Sequence, residues 1–328
     1  MSVPRRKIAF IDASRPGGTG AQCARYLLEL GGFDTIVLAA ALADEWDAFR
    51  DPDDPAPQPN RDVVEAQRWL LNLPCCAAPD AAKAVLILPH AAAFAHCAVS
   101  DDIADSLLAE LIRLGVDHLD AAIFNASSPN LVASETFSRR RAFFYPSPRP
   151  TARPGFRHPM QQQLVAREVS DVVAHNCAWQ IAWLGVLLPL LVKAPDGASV
   201  VFRVQHNCAS PSAAFAQPLS SLGRTLPNAA SQSMLASIVQ RLAETLEDFD
   251  IRVNGASLGY DPQLSRWGGV RAVPDAARAM AWLADWRTLP DGRAVNAMLI
   301  GDHDQFGDQA FNRCEPDPSL WRMDVIAW

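Results

Sequence analysis

The sequence predicts an α/β fold: a doubly wound parallel sheet of about seven strands, in a single domain with two insertions and a C-terminal tail. Three observations predict it. Short apolar, β-compatible runs alternate along the chain with helical stretches. A glycine-rich turn, Pro16-Gly17-Gly18-Thr19-Gly20, joins the first run to the first helix. Of 328 residues 49% are apolar and 20% charged, enough to bury a sizeable core and to exclude wholesale disorder.

The elements follow in order. Lys7–Ile11 reads as a strand, Ala21–Leu30 as a helix stopped by Gly31-Gly32, and Thr35–Ala39 as a second strand, which makes a βαβ unit. An insertion follows at about 44–80. Its first part, 44–62, carries Asp51-Pro52-Asp53-Asp54-Pro55, Pro57 and Pro59, a proline density that predicts a surface loop. Val63–Leu73 reads as a helix and Ala84–Leu88 as a buried strand. Asp101–Leu114 is a helix with acidic residues in its first turn, matched to the helix dipole. Ala121–Phe124 is a strand leading into Asn125-Ala126-Ser127.

A second insertion, about 135–165, differs in character. Within 135–160 it holds Arg139, Arg140, Arg141, Arg149, Arg153 and Arg157 among five prolines. It reads either as a solvated loop or as a docking arm for an acidic surface or a phosphate-bearing ligand. Ser170–Leu191 reads as a largely buried helix and Ser199–Val204 as a strand. Ala229–Phe249 is amphipathic, with Leu235, Val239, Leu242 and Leu246 at helical spacing. Ile251–Gly255 is a strand, Asp275–Ala284 a helix opened by Pro274, and Ala294–Ile300 the last strand. The domain thus spans 1–302, and 303–328 form a tail rich in aromatic residues, Trp321 and Trp328 among them.

Composition excludes several classes. The most apolar run, Ala178–Val192, contains Gln180 and Pro189 and falls short of the ~20 residues a bilayer span needs. The net charge of −7 argues against a nucleic-acid partner. Seven cysteines without zinc spacing predict no metal site and free thiols in a reducing compartment; Cys75 and Cys76 are adjacent. Met1–Lys7 has no apolar signal core, so a cytoplasmic location is expected.

A phosphate seeks backbone N–H groups at a helix N-terminus, with no side chain in the way. Gly17, Gly18 and Gly20, just before the first helix, offer that approach, as would a tight turn with no ligand. Over about residues 6–302 the chain resembles the short-chain dehydrogenase/reductase family, whose fold is Rossmann-like. Ile11–Gly20 is similar to the family's Thr-Gly-x-x-x-Gly-x-Gly turn, with one extra residue and Asp12-Ala13 in place of its Thr-Gly. Phe124-Asn125-Ala126-Ser127 resembles its Asn-Asn-Ala-Gly strand end. Asn176 and Pro189 match the Asn and Pro of one helix, Ile251-Arg252-Val253-Asn254 is the family's strand intact, and Pro274-Asp275 and Asp291-Gly292-Arg293 match its C-terminal pattern.

The family's activity rests on a Ser, a Tyr that donates a proton to the substrate carbonyl, and a Lys four residues later. Counting back nineteen residues from Ile251 puts Gln232 at the Lys position and Asn228 at the Tyr position. His206 falls at the Ser position. Misalignment is not the cause. The three tyrosines, Tyr26, Tyr145 and Tyr260, are followed four residues on by Leu30, Arg149 and Leu264, so no Tyr-x-x-x-Lys exists. Asn228 has no proton to give near neutral pH and Gln232 has no charge.

By this resemblance the cofactor residues are Arg15, Gly17, Gly18, Thr19, Gly20 and Asn125. Arg15 would meet a 2′-phosphate, so NADP(H) is one expectation and no nucleotide the other. The second strand ends Leu38-Ala39-Ala40-Ala41, without the acidic residue that meets an NAD ribose. Three functional readings stand. The first is a non-catalytic subunit paired with an active relative of ketoacyl or hydroxyacyl type, or with itself, through the helices at 170–191 and 229–249. The second is an enzyme rewired around His206 and the retained Asn176, redox or not. The third is a structural subunit of a larger complex.

Overall fold

The computed structural model describes residues 6–13, 17–29, 32–40, 59–77, 83–88, 101–125, 173–204, 226–257, 273–288 and 294–301. Seven strands form one all-parallel sheet: β1 (Ile8–Ala13), β2 (Thr35–Ala40), β3 (Ala84–Leu88), β4 (Ala121–Phe124), β5 (Ala198–Arg203), β6 (Ile251–Ser257) and β7 (Leu299–Gly301). Their spatial order is β3-β2-β1-β4-β5-β6-β7. The helices are α1 (Thr19–Glu29), α2 (Pro59–Leu71), the single turn α3 (Pro74–Ala77), α4 (Asp101–Arg113), α5 (Trp179–Leu191), α6 (Leu226–Leu246) and α7 (Val273–Asp285). This is the doubly wound Rossmann-like architecture that the alternation of runs predicts.

Parallel strands covered on both faces read as continuous apolar runs. All six residues of β5 and all four of β4 are buried. Alternation then sends side chains to two helix layers. Phe10, Phe124 and Phe202 meet on one face, Phe124 stacked on Phe202 at 5.1 Å between ring centres. Trp183 of α5 lies 5.0 Å from Phe10, and Trp179 packs edge-on against Trp183. On the other face Ser199 donates to the Leu283 carbonyl of α7, and α7 packs along α1, where the Cys23 thiol reaches the Ala277 carbonyl.

Several boundaries differ from the sequence reading. The α2 helix starts at Pro59, inside the stretch expected to be loop, because proline suits the first helical position. Val63, Ala66 and Leu70 of α2 are buried. Residues 59–77 are therefore part of the layered fold, not an addition to it. The helix expected over 229–249 runs from Leu226 and ends in a 3₁₀ turn, Glu247–Phe249. The last strand is only Leu299–Gly301, not Ala294–Ile300. Residues before it are held by side chains instead of a ladder: Asn254 Nδ2 donates to the Val295 carbonyl, Asn254 Oδ1 accepts from the Met298 amide, and Asn296 Oδ1 accepts from the Val253 amide. Ala297, at φ 55°, breaks any extended run there. The insertion at 135–165, all of 44–58 and the tail 303–328 lie outside the described residues.

Gly197 shows why one turn must be glycine. Its φ is 73°, and a Cβ there would run into the Asp250 side chain and carbonyl. That turn feeds β5 beside β6, through the Ala198 amide bonded to the Asp250 carbonyl. Trp183 anchors the opposite layer, so Trp183→Ala should cost about 3–5 kcal/mol by urea unfolding followed by circular dichroism. A loss below 1 kcal/mol would contradict its place in the core.

Candidate functional site

Chain direction fixes where a site can form. β2 leaves β1 on one side and β4 lies on the other, so the order reverses between β1 and β4. In open α/β sheets the crevice beyond the strands' C-terminal ends at that point is where ligands bind. The α1 N-terminus reaches this edge from β1. The Leu119 amide bonds to the Leu190 carbonyl, which sets the C-terminus of α5 at the sheet's opposite edge and its N-terminus at this one.

The glycine turn lies here. The Gln22 amide bonds to the Gly18 carbonyl at 2.9 Å, opening the helix. By helix geometry the amides of Thr19, Gly20 and Ala21 have no partner within α1. Gly17 is exposed, has φ 77°, and has nothing within 4 Å of where a Cβ would stand. Conformation, not crowding, demands glycine there. Such a turn suits an anion.

Beside it, three strand ends are joined through Asn125. Its backbone amide donates to Asp12 Oδ1 at 2.5 Å. Its carbonyl and its Oδ1 accept from Arg203 Nη1 at 3.5 and 3.4 Å. Asp12, Asn125 and Arg203 are all wholly buried. Nδ2 of Asn125 is buried without a hydrogen-bond partner. A buried donor left unmatched costs about 1–3 kcal/mol, and a ligand acceptor would recover it.

A second cluster joins α5 to α6. Residues Ala174–Ala178 form a π turn leading into α5, and the Trp179 amide bonds five residues back to Ala174. π turns often occur at functional sites. Asn176 Nδ2 donates to Ser231 Oγ at 2.9 Å, and the Cys177 thiol donates to the Ser231 carbonyl at 3.1 Å. Gln232, the next residue, and Gln180 are wholly buried. Burial pushes the Cys177 thiol up to about 12.

Two groups of sequence-named residues are thus gathered. Gly17, Gly18, Thr19, Gly20 and Asn125 share the crevice; Asn176 and Gln232 share the α5–α6 contact. Asn228 is placed on α6, one helical turn before Gln232. Arg15 and His206 lie outside the described residues. Sequence reasoning overlooked Arg203, although a charge in the otherwise apolar run Val200–Val204 was a visible signal: a buried charge requires partners. It noted Asp12 only as a departure from a motif. Among the described residues no three His, Cys, Asp or Glu side chains gather as a metal site.

The sheet order defines a Rossmann-type fold with the glycine turn at the crevice between β1 and β4. The chain has the fold of the short-chain dehydrogenases. A short-chain dehydrogenase from Mycobacterium paratuberculosis bound to NAD matches 90% of this chain and 95% of its own, with 17% identity and a TM-score of 0.57. Carveol dehydrogenase from Mycobacterium avium, in complex with NAD, matches 90% and 95% with 14% identity and a TM-score of 0.55. A 3-oxoacyl-[acyl-carrier protein] reductase from Brucella melitensis, with bound NAD, matches 86% and 84% with 16% identity and a TM-score of 0.50. No family model and no curated protein sequence matches the chain.

Two outcomes follow from this geometry. Arg203→Ala should cost about 1–3 kcal/mol in urea unfolding, because it removes the donor to the buried Asn125 carbonyl and Oδ1. A thiol whose folded pKa lies above its unfolded value loses its stabilising effect as pH rises. For Cys177 that window runs from the model-peptide value of 9.0 to about 12. Stability should therefore fall less steeply between pH 9 and pH 11 in Cys177→Ala than in the parent, and parallel slopes would refute it.

Proposed function

We propose that this chain is a non-catalytic, cytoplasmic subunit built on the short-chain dehydrogenase fold. It works in a hetero-oligomer with an active reductase or dehydrogenase that handles a ketoacyl or hydroxyacyl type of substrate. One observation carries the reading: the chain contains no Tyr-x-x-x-Lys, and the position expected for the lysine is Gln232, wholly buried and next in sequence to Ser231, which bonds Asn176. A carboxamide there brings no charge to lower a neighbouring pKa. Without an acid, general-acid assistance worth about 10²–10⁴-fold is missing.

The crevice residues fit a nicotinamide dinucleotide. The Gly17–Gly20 turn would take its phosphates and the unpaired Asn125 Nδ2 a hydroxyl or carbonyl oxygen. Arg15 makes NADP(H) the better match than NAD(H). Such a cofactor, when bound, supplies hydride chemistry. In this subunit the protein groups only hold it, and its role is to stabilise the fold.

The partner surface is the outward side of α5 and α6. No charged residue occurs in α5. Its exposed positions are Gly185 and Pro189, flanked by half-buried Ile181 and Leu188, with exposed Ala178 just before the helix and Val192 just after it. Met234 of α6 is exposed as well. An apolar face of this extent calls for a cover.

The isolated chain should turn over no ketone, alcohol or acyl thioester with either nicotinamide cofactor. Turnover abolished by His206→Ala would establish the rewired enzyme instead. Calorimetry should show NADP(H) binding that Asn125→Ala weakens about tenfold, the equivalent of ~1.4 kcal/mol. Heats absent for both cofactors would make the turn structural only. Gly185 has open space around it, so Gly185→Glu should abolish assembly while leaving thermal unfolding unchanged. A parent that sediments as a monomer would defeat the subunit reading.

A further inference from the structure

Away from the crevice, two thiols converge. Cys75 and Cys76 sit in the single turn α3, where the Cys76 and Ala77 amides both bond to the Leu73 carbonyl. Successive helical positions diverge by about 100°. Even so, the two sulfurs lie 3.8 Å apart, and both residues are half-buried against the core. Their setting is the sheet's N-terminal edge. Lys83, just before β3, donates to the Leu28 carbonyl at the end of α1, and both Lys83 and Glu29 act electrostatically on Cys76. Burial and the neighbouring thiol raise Cys76 to about 11.

We propose that Cys75 and Cys76 form a dithiol site that chelates a trivalent arsenical, both sulfurs closing on one arsenic atom. Three features favour this over the other chemistries of paired thiols. A disulfide would need the sulfurs to close to about 2.05 Å across a single peptide, at the cost of the Leu73-bonded turn. Oxidation also proceeds through thiolate, which is scarce at neutral pH for a thiol raised as Cys76 is. A divalent metal wants about four ligands, and among the described residues no third His, Cys, Asp or Glu joins the pair. An atom about 2.3 Å from each sulfur, the scale of a metal–thiolate bond, spans the observed gap with little side-chain movement. Arsenic(III) carrying one organic group needs only these two sulfurs.

The step balances without a redox partner. Phenylarsine oxide brings one arsenic bonded to oxygen. Two As–S bonds form, the arsenic–oxygen bond breaks, and the oxygen leaves as water with both thiol protons. Arsenic stays trivalent and sulfur is not oxidised. Neutral thiols suffice, so the raised Cys76 is no obstacle.

The test uses the full-length folded chain and phenylarsine oxide in excess glutathione, which strips arsenic from single thiols. Intact-mass analysis should show one phenylarsenic per chain, removed by 2,3-dimercaptopropanol. Cys75→Ser and Cys76→Ser should each abolish the adduct while circular dichroism stays unchanged. Peptide mapping of the wild-type adduct should place it on the segment holding Cys75 and Cys76, which keeps the test valid even where a variant fails to fold. Absence of an adduct on the folded parent, an adduct mapped elsewhere, or one that survives either substitution would overturn the proposal.

Discussion

Burial of the central strands on both faces is the constraint on which the rest of the structure depends. With β1, β4 and β5 covered by helices above and below, a polar group on them survives only at a strand end, where partners can reach it. The polar residues obey that rule. At the N-terminal edge Asp120 accepts from the Ile8 amide, and Asp34 from the Lys7 amide, while Lys7 Nζ meets Asp285. At the C-terminal edge Asp12, Asn125 and Arg203 join the ends of the same three strands. The first set fastens the chain. In the second, Asn125 Nδ2 is buried without a hydrogen-bond partner.

Legibility in the sequence follows the same division. The strands at 84–88 and 121–124 stand where their apolar runs predict; the second is buried at all four residues, so no polar position blurs its limits. The short β7 was illegible for the opposite reason. Ala294–Ile300 is apolar enough for a strand, yet three side-chain bonds from Asn254 and Asn296 shape most of it. Asn254 was read as part of a motif and not as a tie, and Asn296 was not singled out. Arg203 and Asp12 were hidden because strand periodicity records apolar positions and says nothing of which buried charge meets which. The crevice was legible through its glycines, since a positive φ at Gly17 leaves few other residues. The α5–α6 cluster was legible only through the family resemblance.

The β6 strand shows how a resemblance can be right about residues and silent about their work. Arg252 donates to the Trp286 carbonyl beyond the end of α7, and burial together with nearby Arg287 lowers it to about 10. Asn254 spends both ends of its carboxamide on the 295–298 segment. These contacts hold β7 and α7 to the sheet. Their retention is what the architecture needs, whatever chemistry the crevice performs.

That separation bears on which residues the fold itself needs. Contacts that hold the sheet and contacts that would hold a dinucleotide overlap at Asn125, whose backbone amide serves Asp12 while its side-chain nitrogen is left for a ligand. Its side-chain Oδ1 also accepts from Arg203, so replacing Asn125 removes a tie between β4 and β5 along with the Nδ2 donor. The positions expected for catalysis have no such double duty. Gln232 is buried among helices where an uncharged side chain costs less than an ammonium would, because a lysine there would have to be desolvated or paired. At that position the physics of burial favours the carboxamide. The same physics keeps the glycine turn and the Asn125 junction, because both sit where the strands end and the chain must turn.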